Sequence, residues 1–241
     1  MAGETFEITV DESDSLWALV GELARSVPEG SWVLVGGLMV QAHALRSKNI
    51  VTRQTTDIDA LLNLSISSVS QIAGSIQSMG FEPHAPAFGG SFHRFNRGSE
   101  SIDVMVGQDV RQPVRWFGQE VLRSPGAAQA IARADKYVFV QGGQIFTVLV
   151  PDSVGATIAK AAAHKVDRRD RERHLTDLIS LLASAPRGAF VGNEYSAKDR
   201  QYLRRVVNEL SDQKQRRWLV LNDIERARAA ASYEELLTVI A

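Results

Sequence analysis

Two aspartates one residue apart, Asp57 and Asp59, stand in the run Thr56–Asp57–Ile58–Asp59–Ala60. On a strand, both carboxylates project from one face while Ile58 points the other way, into a core. Carboxylates that close repel one another and are normally accompanied by a cation or a basic group. Oxygen-only donors suit Mg²⁺ or Mn²⁺, and a Mg²⁺ site typically combines one or two carboxylates with substrate phosphates. An Asp-x-Asp pair is also common in surface loops, so its surroundings decide its meaning. A third acid, Asp103, interrupts the apolar run Ile102–Asp103–Val104–Met105–Val106. It is either an edge-strand aspartate facing water or a carboxylate held by a partner or metal, since an unpaired one inside such a run is costly. Upstream, Gly36–Gly37 closes the apolar run Trp32–Val35. Such a turn lets the backbone approach a phosphate and aims the N–H groups of the next helix at it, or it is simply a tight turn. Together, three strand-borne acids and a glycine turn are the equipment of two-metal phosphoryl or nucleotidyl transfer.

Other candidates weigh less. Arg53 lies just upstream of the acidic run, as a phosphate ligand or as a loop charge. Arg94, in His93–Arg94–Phe95, either brings a guanidinium near phosphates or is an exposed strand arginine. The five histidines (His43, His84, His93, His164 and His174) lack metal-binding spacing. Gly89–Gly90–Ser91 does not have the order of a nucleophile elbow. A Walker A motif and a G-x-G-x-x-G fingerprint are both missing. The absence of cysteine excludes disulfides, thiolate metal sites and thiol nucleophiles.

The elements that must position these residues alternate along the first part of the chain. Phe6–Val10 reads as a strand, Ser13–Ser26 as a helix capped by Ser13 or Asp14, Trp32–Val35 as a strand and Leu38–Leu45 as a helix. The loop 46–56 leads into a strand at Asp57–Leu62, and a helix at Ser67–Met79 stops at Gly80. Strands are expected at Phe92–Asn96 and Ser101–Val106. A hairpin follows at Tyr137–Val140 and Ile145–Val150 around Gly142–Gly143, continuing the sheet. Beyond Pro151 the spacing predicts helices at Asp152–Val166, Glu172–Ala183, Ala197–Leu210, Gln213–Ala230 and Tyr233–Ile240. The expected architecture is an α/β (α+β) domain over 1–150, with a mixed sheet and flanking helices, followed by a helical domain over 151–241.

At 241 residues, with 44% hydrophobic and 23% charged residues, the chain can bury a substantial core. No apolar run approaches the roughly 18 residues of a membrane span. The first ten residues carry Glu4 and Glu7 and lack a basic-then-apolar order, so a cytoplasmic location without a secretory signal is expected. The net charge of −1 conceals a basic stretch, Lys160–Arg217, with 14 Lys or Arg against 8 Asp or Glu. This is either a polyanion-binding surface or a set of salt-bridged helix faces.

The order Gly36–Gly37, Arg53, Thr56–Asp57–Ile58–Asp59 and then Asp103 on a later strand resembles the signature of the nucleotidyltransferase superfamily. The wide gap between Gly37 and Asp57, with the helical second half, is most similar to the AbiEii/MenT group of bacterial toxins. That group carries a helical lysine, a basic stretch and an Asp-Leu-x-x-Leu-Leu segment. Here these correspond to Lys160, to Lys165–Arg173 and to Asp177–Leu178–Ile179–Ser180–Leu181–Leu182. Many members have Lys-Asp where this chain has Arg173–His174, so one acid of the pattern is absent. The resemblance spans Val33–Leu182. It implies a nucleotidyltransferase fold and Mg²⁺ (or Mn²⁺) on Asp57, Asp59 and Asp103. It further implies an NTP bound by Gly36, Gly37, Arg53, Thr56 and Lys160, with catalysis by the three acids, Lys160 and Asp177. Lys165 competes with Lys160 for the lysine's role. The implied acceptor is RNA (the tRNA 3′ end), and the implied partner an antitoxin protein. Transfer to a small hydroxylated molecule such as an aminoglycoside, or an inactive nucleotide-binding regulator, are the alternatives.

Overall fold

Two main sheets, a small two-stranded one and a helical part make up the described residues of the chain, a computed structural model covering 4–51, 53–84, 90–167 and 170–240. Strand β1 (Thr5–Thr9) leads to helix α1 (Ser15–Ser26), whose first turn is capped by Asp14 accepting from the Leu16 and Trp17 amides. Strand β2 (Trp32–Val35) runs directly into α2 (Gly36–Arg46), so both glycines belong to the first helical turn rather than to a separate loop. Next come β3 (Asp57–Leu62) and α3 (Val69–Ser78), the latter capped by Ser68. Gly80 follows with φ +87°, the left-handed residue expected where a helix stops.

The middle contains β4 (Glu82–His84), β5 (Arg94–Arg97), β6 (Glu100–Gly107), a small hairpin β7 (Arg115–Trp116) and β8 (Gln119–Glu120), and β9 (Arg123–Ser124). A short helix, α4 (Ala127–Ala132), precedes β10 (Ala134–Gln141) and β11 (Gln144–Pro151). Of these, β4, β7, β8, β9 and α4 were not legible in the sequence, because strands of two or three residues and a helix of under two turns have no room to display a hydrophobic period.

The main sheet has the order β2-β3-β6-β5-β4, with β9 joining β6, and mixes parallel and antiparallel pairs. Strand β6 lies between β3 and β5, so Asp103 stands in the middle of the sheet and the edge-strand reading of it is wrong. The hairpin β10–β11 does not continue this sheet as expected. It pairs with β1 in a second, three-stranded sheet in which β1 and β10 run parallel. A hydrophobic pattern reports that a strand is half-buried but not which strand it pairs with, and β1 lies far upstream.

Helices α5 (Ser153–Val166), α6 (Arg171–Ser184), α7 (Ala197–Leu210) and α8 (Asp223–Ile240) form the second half. The expected helices at Gln213–Ala230 and Tyr233–Ile240 are corrected to one helix that begins ten residues late. Residues 213–222 form turns instead. Trp218, fully buried, donates from Nε1 to the Leu210 carbonyl, and Asn222 and Glu225 exchange side-chain-to-amide bonds that start α8. Apolar packing falls into two clusters, one between the sheets and α1–α3, the other among α5–α8. Ala156 and Leu181, from α5 and α6, belong to the first cluster and key the helices against the sheets. No helix among the described residues is long and apolar enough to cross a membrane.

Candidate active site

The register of the main sheet assembles the acids. Strand β3 pairs in parallel with β6 so that Asp59 lies opposite Asp103, and β6 pairs with β5 so that Asp103 lies opposite Arg94. Side chains opposite one another share a face, so Asp59, Asp103 and Arg94 form a row across three strands, with Asp57 two residues along β3. Ile58 is fully buried on the other side, as period-2 alternation requires. Arg94 binds across the row. Its Nε and Nη2 donate to the two oxygens of Asp103 at 2.6 and 2.7 Å, and Nη2 also reaches Asp57 Oδ2 at 3.0 Å. Asp57 Oδ1 accepts from the Thr55 hydroxyl at 3.1 Å.

Asp59 sits beside both of these acids. Burial, followed by the charge of Asp57, pushes its carboxyl up to about 6, and Lys160 opposes the rise only in part. The glycine turn explains how Asp59 fits there. Gly36 has φ +68°, and a Cβ on it would lie 1.7 Å from Asp59 Oδ2. At Gly37 a Cβ would lie 2.8 Å from Arg53 and Thr55 side-chain atoms. Both glycines therefore make room for the acidic strand and its neighbours. They also leave the N-terminus of α2, which has no side-chain cap, facing the same space.

The opposite wall comes from the helices. Lys160 Nζ donates to Asp177 Oδ2 at 2.6 Å, with both side chains buried, and Arg53 Nε donates to Asp177 Oδ1 at 3.2 Å. Burial alone would raise the Asp177 carboxyl, but Lys160 and Arg53 outweigh it and hold the group below its ordinary value. Asp177 is thus a buried acid of the helical wall and not a surface charge. Lys165, the competitor of Lys160, is exposed and lies 5.4 Å from the Tyr202 ring. Five residues along a helix is about 140° of rotation, so only one of the two lysines can face the site. Arg53 is set by its loop: Gln41 binds its carbonyl, Asn49 binds the Ala183 carbonyl, and the Ile50 amide binds buried Glu225 at 2.7 Å.

These residues line one cavity of about 270 Å³. Gly36, Gly37, Asp57, Asp59, Asp103 and Lys160 all contribute, together with Arg53 and Arg94. Thr56 is exposed and does not line it, whereas Thr55 does, because the alternation into β3 turns Thr56 outward. Sequence reasoning missed Arg173 and undervalued Arg94; neither has a local pattern that separates it from a surface charge. His174 also lines the cavity. Its Nε2 lies 3.1 Å from Asp167 Oδ2, and burial together with Lys160 favours its neutral form. A carboxylate from the preceding turn therefore stands next to the position where the sequence lacks an acid.

Among the described residues, no three metal-binding side chains are grouped so as to hold an ion as they stand. Arg94 already occupies both oxygens of Asp103 and one of Asp57. The donor chemistry itself fits a hard divalent cation: three carboxylates on one face, two of them already gathered around a positive group. Elsewhere in the basic stretch, Arg171 and Arg205 pair with Glu209, and Arg217 pairs with Glu172. Part of the local positive charge is thereby neutralised internally. Arg168, Arg169 and Gly89 lie outside the described residues.

A mixed sheet carrying three acids, with a glycine turn opening a helix beside them, has the nucleotidyltransferase-like fold. The chain is similar to a solved crystal structure, an antigenic nucleotidyltransferase-like protein from Paracoccidioides brasiliensis. The two share 16% identity over 84% of this chain and 91% of that one, with a TM-score of 0.52. Comparison with protein-family profiles and with curated proteins gives no match.

Proposed function

We propose that the protein is a metal-dependent nucleotidyltransferase that moves a nucleoside monophosphate from an NTP to a hydroxyl acceptor. The observation that carries this reading is the convergence on one cavity of Asp57, Asp59 and Asp103, the open N-terminus of α2, and Lys160 and Arg53. Acids and cations face each other across a space that a polyphosphate with its counter-ions would neutralise. Asp57, Asp59 and Asp103 would hold Mg²⁺ or Mn²⁺, which when bound would offset phosphate charge and acidify the acceptor hydroxyl. The amides at Gly36 and Gly37 cradle the β- and γ-phosphates. Lys160, fixed by Asp177, and Arg53 stabilise the charge that develops as the α–β phosphoanhydride bond breaks. The acceptor oxygen forms its bond to the α-phosphorus, its proton passes to Asp103, and pyrophosphate leaves.

The acceptor we propose is RNA, at the tRNA 3′ end, with the protein acting as an AbiEii/MenT-type toxin neutralised by a protein antitoxin. The support is the Lys160–Asp177 pair, which joins the two helical residues of the resemblance at 2.6 Å. The test is incubation of the protein with each labelled NTP, Mg²⁺ and total RNA, with Asp59→Asn as control. Labelled tRNA in the wild type alone is the expected result. Labelling of a small hydroxylated molecule instead would reassign the acceptor. Nucleotide binding with no transfer would favour the regulator reading, for which the absent acid at His174 is the supporting feature.

A further inference from the structure

We propose that Arg94 is a positioning cation that exchanges between the acids and the triphosphate, so that metal and nucleotide each bind more tightly when the other is present. The inference rests on the reading of this cavity as an NTP site. Arg94 lies opposite Asp103 in the β5–β6 pair, on the face that carries Asp59 and Asp57, so its short reach to the acids is built into the strand register. The guanidinium makes three bonds of 2.6–3.0 Å to Asp57 and Asp103. Planar, bidentate pairing of this kind uses the same oxygen lone pairs that a hard divalent ion needs. Two cations cannot share those oxygens without strong repulsion, so ligation of an ion requires Arg94 to leave.

The remaining cations of the cavity cannot play this part. Lys160 and Arg53 are tied to Asp177 and Arg173 to Asp167, and neither of these acids belongs to the strands. Arg94, by contrast, keeps about a third of its side chain exposed (34%), so it can swing without opening the core. A metal arriving alone would take the guanidinium's protein acceptors, because among the described residues its donors bond only Asp57 and Asp103. A metal arriving with a triphosphate supplies phosphate oxygens, for which the arginine fork is well shaped. The exchange also frees both oxygens of Asp103, the proton acceptor of the proposed reaction. Coupling of this kind is reciprocal, so nucleotide tightens metal and metal tightens nucleotide by the same factor.

Mn²⁺ titration followed by electron paramagnetic resonance, with and without a non-hydrolysable NTP analogue, tests this on the full chain. In the wild type the analogue should tighten Mn²⁺ binding by about tenfold or more. Arg94→Gln should bind Mn²⁺ alone about tenfold more tightly than the wild type and lose most of the analogue's effect. Arg94→Lys, which keeps the charge but not the fork, should fall between them and serves if the glutamine variant does not fold. Equal Mn²⁺ affinity in the wild type and both variants overturns the role of Arg94 and leaves the site reading intact. Failure of the wild type and variants to bind Mn²⁺ even with the analogue overturns both.

Discussion

Gly36 is the residue whose side chain the site can least accommodate. Alanine there must adopt φ +68° and place its Cβ within 1.7 Å of an Asp59 oxygen. Gly36→Ala should therefore lose about 1–3 kcal/mol of stability by urea unfolding, from backbone strain and from displacement of the acid, and should lose transfer activity. Asp59 behaves oppositely. Its charge is unfavourable in the fold, as a carboxyl held at about 6 shows. Asp59→Asn should abolish nucleotide transfer while its melting temperature stays at or above that of the wild type, the usual conflict between a strained acid and stability. A melt well below the wild type would contradict the assignment of Asp59 as a functional rather than structural acid. The Lys160–Asp177 pair separates the two effects. Asp177→Ala leaves a buried lysine unpaired and should cost about 3–5 kcal/mol, whereas the double variant Lys160→Met, Asp177→Leu should regain most of that stability with no activity. Chemical denaturation of the single and double variants decides this.

At the scale of elements, each side of the site is held by a different kind of scaffold. The acids depend on strand register, and a slip of one residue between β3 and β6 would turn Asp59 or Asp103 to the opposite face. Arg53 depends on a loop tied to helices more than a hundred residues away in sequence. Buried Glu225 accepts from the Ile50 amide and from the Asn222 amide, joining the loop to the start of α8. Glu225→Ala should expose the amides of residues 47–51 to faster hydrogen exchange and weaken nucleotide binding, with the strands β3 and β6 unaffected. Uniform loss of protection across the sheet would show that Glu225 supports the whole fold instead. Strands β2 and β3 and helix α7 were legible in the sequence to the residue, because the glycine pair after β2, the alternating acids of β3 and the Ser196 cap of α7 are local marks. The start of α8 was not, since only the burial of Trp218 and the Asn222–Glu225 cap explain why helical spacing over residues 213–222 gives turns.

For the whole molecule, His43 records how the two sheets and α2 lock together. Its ring lies in the core, bonded at 2.9 Å to the Pro151 carbonyl at the end of β11. Burial, then the nearby Arg46, lowers its pKa from 6.5 to about 3. The unfolded chain therefore binds a proton that the folded chain refuses, and stability falls as pH drops from about 6.5 towards 3. Between pH 6.5 and 5 this contributes about 2 kcal/mol of loss, which His43→Gln should remove from the urea profile. The sequence by itself determined the acids, the glycine turn and the order of long elements, because strand alternation and helix periodicity are written in neighbouring residues. Tertiary structure alone decided which strands pair, that Asp103 is central, that Lys160 rather than Lys165 faces Asp177, and that Arg94 binds the acids. Each of these is a contact between segments distant along the chain, and no local pattern encodes the partner.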